Sequence, residues 1–233
     1  MFNPAVTLQE FLGEIINTNV TLQEFLEEIV NTLYMVGMSL LIGTIFGSIL
    51  GVVIVVTRRG GILAVPFVYF ILNFLINIVR SVPFIILMVA MIPFTRSIVG
   101  TSIGTNAAIV PLIIFITPFI ARLVENSLLE VGPGIIEAAE SMGATPFQII
   151  WYFILPEAFG SLILSLATAT ISLIGASAMA GVVGGGGIGN IAIIYGYQRY
   201  DTFAMFATIF ILIIIVQLIQ STGNTVARLI RRR

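Results

Sequence analysis

Apolar positions in this chain gather in long blocks from which charge is missing. Ile29–Thr57, Ser97–Ala121, Ala158–Gln198 and Thr202–Ala227 contain no charged residue at all. Each block reaches the roughly 20 residues a helix needs to cross about 30 Å of hydrocarbon. The blocks predict a first span over Leu33–Val56, ended by Thr57-Arg58-Arg59, and a second within Ile62–Pro93. That second block is too long for one simple crossing. It is interrupted at Arg80-Ser81-Val82-Pro83, where Pro83 removes a backbone donor and is expected to kink the helix. Further spans are predicted over Ala107–Val124, Gly160–Val183 and Thr202–Thr222. The fold class is therefore all-α integral membrane, with five transmembrane helices.

Ahead of the first span the pattern changes from apolar throughout to amphipathic. Val6–Thr18 (VTLQEFLGEIINT) is repeated as Val20–Thr32 (VTLQEFLEEIVNT), with differences only at Gly13/Glu27 and Ile16/Val30. Each copy opens with a capping box, Thr7…Glu10 and Thr21…Glu24. In the second copy Leu22, Phe25, Leu26 and Ile29 share a helical face opposite the glutamates. Two readings remain open: a duplicated lead-in to the first span, or a dedicated binding or regulatory segment. The chain accordingly divides into an extracytoplasmic amphipathic segment, 1–32, and a transmembrane domain, 33–233.

Composition sharpens this picture by exclusion. Hydrophobic residues make up 58% of the chain and charged residues 9%, where soluble chains carry about a quarter. Cysteine, histidine and lysine are absent, which removes disulfides, thiolate or imidazole metal sites, and the lysine of a Walker A loop. A net charge of −1 gives no bulk attraction to nucleic acid. Met1–Ala5 lacks a basic n-region followed by an apolar run, so no cleaved signal peptide is expected. Five spans would put Arg58, Arg59, Arg122, Arg228 and Arg231–Arg233 on one side, with Arg96 and Arg199 on the other. The arginine-rich side is read as cytoplasmic, with the N-terminus outside and the C-terminus inside.

The longest cytoplasmic connection, 125–157, reads as two short helices. The first, over Pro133–Met142, stops at Gly143. The second takes Thr145 as N-cap and Pro146 as first helical residue, and runs to Pro156. By pattern alone, such an elbow is either an interfacial helix with no partner or a lever that pushes on something outside the bilayer. Its residues resemble a known motif. Glu137-Ala138-Ala139, then Gly143, then Leu155-Pro156 resemble the EAA loop of binding-protein-dependent ABC importer permeases, with Phe153 where the motif usually has Ile.

That resemblance implies a type I ABC importer permease whose elbow is a coupling helix docked on an ATPase subunit. Glu137, Ala138, Ala139, Gly143 and Ala144 would be its contact and hinge positions. Arg80–Leu87, Ile92–Arg96, Val99–Gly104, Pro118–Asn126, Met142–Pro146 and Tyr195–Tyr197 resemble the methionine branch of these permeases. The implied partners are a second copy of the chain, two ATPase subunits, an extracytoplasmic methionine-binding protein and the lipid bilayer. ATP and Mg would be bound by the ATPase, with no cofactor and no covalent chemistry on this chain. The same machine carrying another amino acid is a near alternative; an ion-coupled carrier or channel is a distant one. The spans argue against the latter, because the predicted cores of the first, third, fourth and fifth hold no Asp or Glu.

Other features are weighed on their own terms. Gly184–Gly189 formally satisfies G-x-G-x-x-G, but it follows a membrane helix rather than a strand, so a flexible outer turn is expected instead. Arg80 either snorkels to the carbonyls freed at Pro83 or faces the translocation path. The fourth span carries the small-residue pairs Ala176…Ala180 and Ser177…Gly181, which favour close helix approach. A twin-subunit seam there would place Ala176, Ser177 and Met179 along the path, with Met179 as an apolar gate.

Overall fold

The computed structural model describes residues 20–231, so the first copy of the repeat lies outside the described residues. Among the described residues nine α-helices follow one another: α1 Leu22–Thr57, α2 Pro66–Ser81, α3 Phe84–Ala90, α4 Ile92–Val99, α5 Thr105–Leu129, α6 Pro133–Ser141, α7 Pro146–Val182, α8 Ile188–Ile191, continued by a π-helical stretch Ala192–Gln198, and α9 Thr202–Arg231. No strand occurs among the described residues. By length and composition α1, α5, α7 and α9 can each cross a membrane, and α2 with α3 makes a fifth crossing if the broken pair is one span.

The helix boundaries differ from the sequence expectation in informative ways. The second repeat copy and the first span form one uninterrupted helix, α1. Its start is the predicted capping box: Thr21 N–H donates to Glu24 Oε2 (2.8 Å) and Glu24 N–H to Thr21 Oγ1 (3.2 Å). At Val82 the backbone is extended, as expected of a residue preceding proline. The second span therefore breaks there, where only a kink was expected. Pro156, expected to end the second elbow helix, lies inside α7. A π-helical turn over Ile149–Ile154 precedes it, with Leu155 N–H donating to Ile150 O. The wider turn re-registers the carbonyls before the proline, so the missing donor is absorbed and the helix continues into the membrane.

The described residues fall into two compact units. One comprises 20–37, Phe84–Leu112 and Ile174–Gln217; the other comprises Met38–Pro83, Ile113–Leu173 and 218–231. In the first, Val20 and Phe25 of the repeat copy are buried with Ile191 and Ala204, whereas Leu22 and Leu26, expected on the same face as Phe25, are 77% and 54% exposed. In the second, α1 lies directly on α5 through glycines spaced every four residues. A Cβ on Gly47 would sit 2.8 Å from Thr117 O, and one on Gly51 would sit 2.7 Å from Ala121 O. Gly43 faces the side chain of Ile116 just as closely. In lipid, where no hydrophobic force draws helices together, such close backbone approach supplies the contact through dispersion.

Candidate coupling elbow and translocation gate

Gly132 caps α6 in an extended conformation, and Pro133 occupies the first helical position, where a missing N–H costs nothing. The helix closes as glycine predicts. Gly143 has φ +78, a left-handed value that glycine adopts without a Cβ penalty. Met142 N–H donates to Ala138 O (3.1 Å), Gly143 N–H to Glu140 O (2.9 Å) and Ala144 N–H to Ala139 O (3.1 Å). Thr145 then opens α7 with a second capping box, its N–H donating to Gln148 Oε1 at 2.8 Å. The helix–glycine–helix elbow is thus present, with the expected cap and stop.

Its proposed contact positions do not share one environment. Glu137, Ala138 and Gly143 are exposed, Ala144 is half-buried, and Ala139 is fully buried. Ala139 thus packs on its own chain and supports the exposed positions. The sequence reading passed over two aromatics beside them. Phe147 and Trp151, 70% and 57% exposed, stack with centroids 6.2 Å apart. Their i, i+4 spacing at the start of an amphipathic helix was the available signal.

The gate candidates separate in the same manner. Met179 is half exposed, and Gly175, one turn earlier, borders open space. Ala176 and Ser177 are buried in their own chain, and Ser177 Oγ donates to Ile174 O. Gly181 packs against the backbone of Gly189 and Asn190, so the Ser177…Gly181 pair serves closure within the chain. The free face of α7 is instead the one carrying Gly175 and Met179. Arg80 ends α2, exposed, with its guanidinium 5.8 Å from the centre of the Phe119 ring.

Two polar constellations were not anticipated. The glycine turn, expected to be flexible, is pinned. Gly104 N–H donates to Gly184 O (2.8 Å), Ile188 N–H to Thr32 Oγ1 (2.8 Å), and Asn190 Nδ2 to Glu28 Oε1 (3.2 Å). Gly187 N–H also donates to the Glu28 carboxylate. Glu28 of the repeat copy is therefore occupied by its own chain, while Glu27 stays exposed. In the other unit Arg122 donates to Glu125, to Asn73 Oδ1 (2.8 Å) and to Asn77 Oδ1 (3.2 Å). Glu125 lies beyond the predicted third span but inside α5, where it is 5% exposed. That buried acid is neutralised by an arginine one helical turn away. Among the described residues, no group of His, Cys, Asp and Glu is arranged to hold a metal.

Comparison with known proteins fits this architecture. A probable D-methionine transport system permease protein MetI of Vibrio cholerae is 50% identical over 198 residues, covering 85% of this chain and 88% of that protein. The D-methionine transport system permease protein MetI of Escherichia coli is 52% identical over 149 residues, covering 64% and 69%. A chain of the MetNI methionine ABC transporter, solved in inward facing conformations, superposes with a TM-score of 0.88 at 46% identity, covering 90% of this chain and 97% of that one. Residues 43–233, which include the elbow and the free face of α7, match one family across their whole length, and the chain belongs to it: the binding-protein-dependent transport system inner membrane components.

Proposed function

We propose that this chain is the permease subunit of an ATP-driven importer that moves methionine across the cytoplasmic membrane by alternating access. The observation that carries the reading is the elbow, with exposed Glu137 and Ala138 on a short helix closed by Gly143 and connected through Ala144 and Thr145 to a membrane-crossing helix. Relatives named as D-methionine permeases support the substrate. A structural neighbour from a methionine ABC transporter supports the assembly.

In this reading two copies of the chain pair, and two ATPase subunits bind ATP and Mg outside the membrane. Their closure pushes on α6. Because α7 passes from Thr145 to Val182 with only a π-helical turn in it, displacement of the elbow is carried along α7 toward Met179. An extracytoplasmic binding protein delivers methionine from the side of the N-terminus. Met179, on the free face of α7, closes the path by apolar contact, and Gly175 leaves room beside it. Arg80 stands at the break of the second span.

The test is ATP-dependent methionine uptake by the permease–ATPase complex in proteoliposomes, with a panel of amino acids as competitors. Glu137→Ala and Gly143→Leu are expected to uncouple hydrolysis from uptake, leaving ATPase activity while uptake falls. Met179→Ala is expected to raise leak or basal hydrolysis. Uptake by the purified chain alone, driven only by an ion gradient, sinks the importer reading. Equal competition by unrelated amino acids sinks methionine.

A further inference from the structure

The connection from α1 to α2 is a tightly closed turn. Gly61 N–H donates to Arg58 O (2.9 Å), Leu63 N–H to Val56 O (3.1 Å) and Val65 N–H to Thr57 O (3.0 Å). A Cβ on Gly61 would lie 2.6 Å from Val56 O, so closure requires glycine. The turn therefore holds the backbone of Arg58 and Arg59 in a defined place at the end of an apolar helix.

Those two arginines, with Pro66, Tyr69 and Phe70 from the first turns of α2, line an open recess of about 450 Å³. Tyr69 is anchored by packing on the buried Ile54, Ile76 and Ala121 cluster. Among the described residues neither guanidinium has a carboxylate partner, and the ion pair is Arg122–Glu125. Two uncompensated guanidinium forks beside a phenol suit a tetrahedral oxyanion, because each fork can donate two parallel hydrogen bonds.

The surroundings say what kind of anion. On α2, Phe67, Phe70 and Phe74 are 73%, 67% and 57% exposed, and Phe70 stacks on Phe74. This exposed aromatic strip lies on a helix of the broken second span and begins at the rim of the recess, and its rings are chemically compatible with acyl chains. An anion seated on Arg58 and Arg59 thus has acyl-compatible surface directly beside it. We propose that the recess is a binding site for the phosphate of an anionic phospholipid, its head group on Arg58, Arg59 and Tyr69 and its chains along Phe70 and Phe74. The site is independent of the transported substrate, and its test reads lipid rather than uptake.

The experiment uses the full chain in complex with its ATPase, placed in nanodiscs of phosphatidylcholine alone or mixed with phosphatidylglycerol. Lipid retention is measured by native mass spectrometry. Removal of each arginine is expected to weaken phosphatidylglycerol retention by about fivefold, the effect of one basic residue at an anionic surface. Tyr69→Phe keeps the charge and is expected to weaken it as well. Arg228→Gln, elsewhere in the same unit, is the control for bulk attraction. If Arg58→Gln/Arg59→Gln loses no more phosphatidylglycerol than Arg228→Gln, or if Tyr69→Phe changes nothing, there is no site. Displacement of the lipid by inorganic phosphate in the buffer would reassign the recess to a free phosphate. Protection of Arg58 from an arginine-directed reagent by the ATPase in pure phosphatidylcholine would reassign it to a protein contact.

Discussion

The two units of this chain are held together by different chemistry, although the same helix, α1, contributes to both. In the unit that contains residues 20–37, α1 offers Glu28 and Thr32 to the backbone of a glycine-rich turn. In the unit that begins at Met38, α1 offers Gly43, Gly47 and Gly51 to the side chains and carbonyls of α5. The first contact is directional and polar, although it too needs one glycine, since a Cβ on Gly187 would lie 2.7 Å from Thr32 Oγ1 and from Met35 Cε. The second is non-directional and depends on the absence of atoms. A hydrogen-bonded contact can be broken and remade with water as the competing partner. A glycine-packed contact has no such substitute, and an added side chain must displace backbone. Glycine packing thus makes the α1–α5 contact the stiffer framework, and the polar contact is the one able to loosen during a transport cycle.

The largest expected effect comes from a polar group placed within the stiffer unit. Arg122→Gln leaves Glu125 buried without its cation and should cost about 3 kcal/mol. Glu125→Gln added to it should restore most of the loss, and thermal unfolding of the unmodified protein, the two single variants and the double variant forms the cycle. No recovery in the double variant would mean the pair is not the source. Next, Gly47→Leu should cost about 2 kcal/mol by overpacking against Thr117 and Ile120. Gly37→Ala, on the same helix but with nothing within 4 Å, should be neutral or slightly stabilising. Equal melting temperatures for these two variants would erase the contrast between the units. The smallest effect is expected at the polar contact. Glu28→Ala should cost about 1–2 kcal/mol and speed hydrogen exchange at the amides of Gly187 and Ile188, with α5 amides unchanged.

Much of this was legible along the chain. Absence of charge over some 20 residues points to a membrane-crossing helix, because backbone N–H and C=O groups can all be satisfied in a bilayer only within a helix or a closed barrel. The spans, the caps at Thr21 and Thr145, and the stop at Gly143 follow from local hydrogen-bonding rules that need no tertiary information. The elbow was readable for the same reason, since Gly132-Pro133 and Gly143 bracket a helix wherever they occur. Pro156 was misread because a proline's effect depends on whether the preceding turn can widen. Glu28 was read as one of a polar face because a carboxylate's partner, 159 residues away, leaves no mark on its neighbours.

Small residues show the division most clearly. Glycines every four residues on α1 and alanines, serine and glycine on α7 are equivalent as patterns, and each permits close approach. Only the fold decides that Gly43, Gly47 and Gly51 face α5, that Gly181 faces the turn at Gly189, and that Gly175 and Met179 are left uncovered. The sequence by itself determined that the chain lives in a membrane, where its helices lie and where its elbow sits, because those depend on transfer free energies and local caps. Tertiary structure decided which faces are used up internally and which remain for a partner, because small residues permit contact without specifying what makes it.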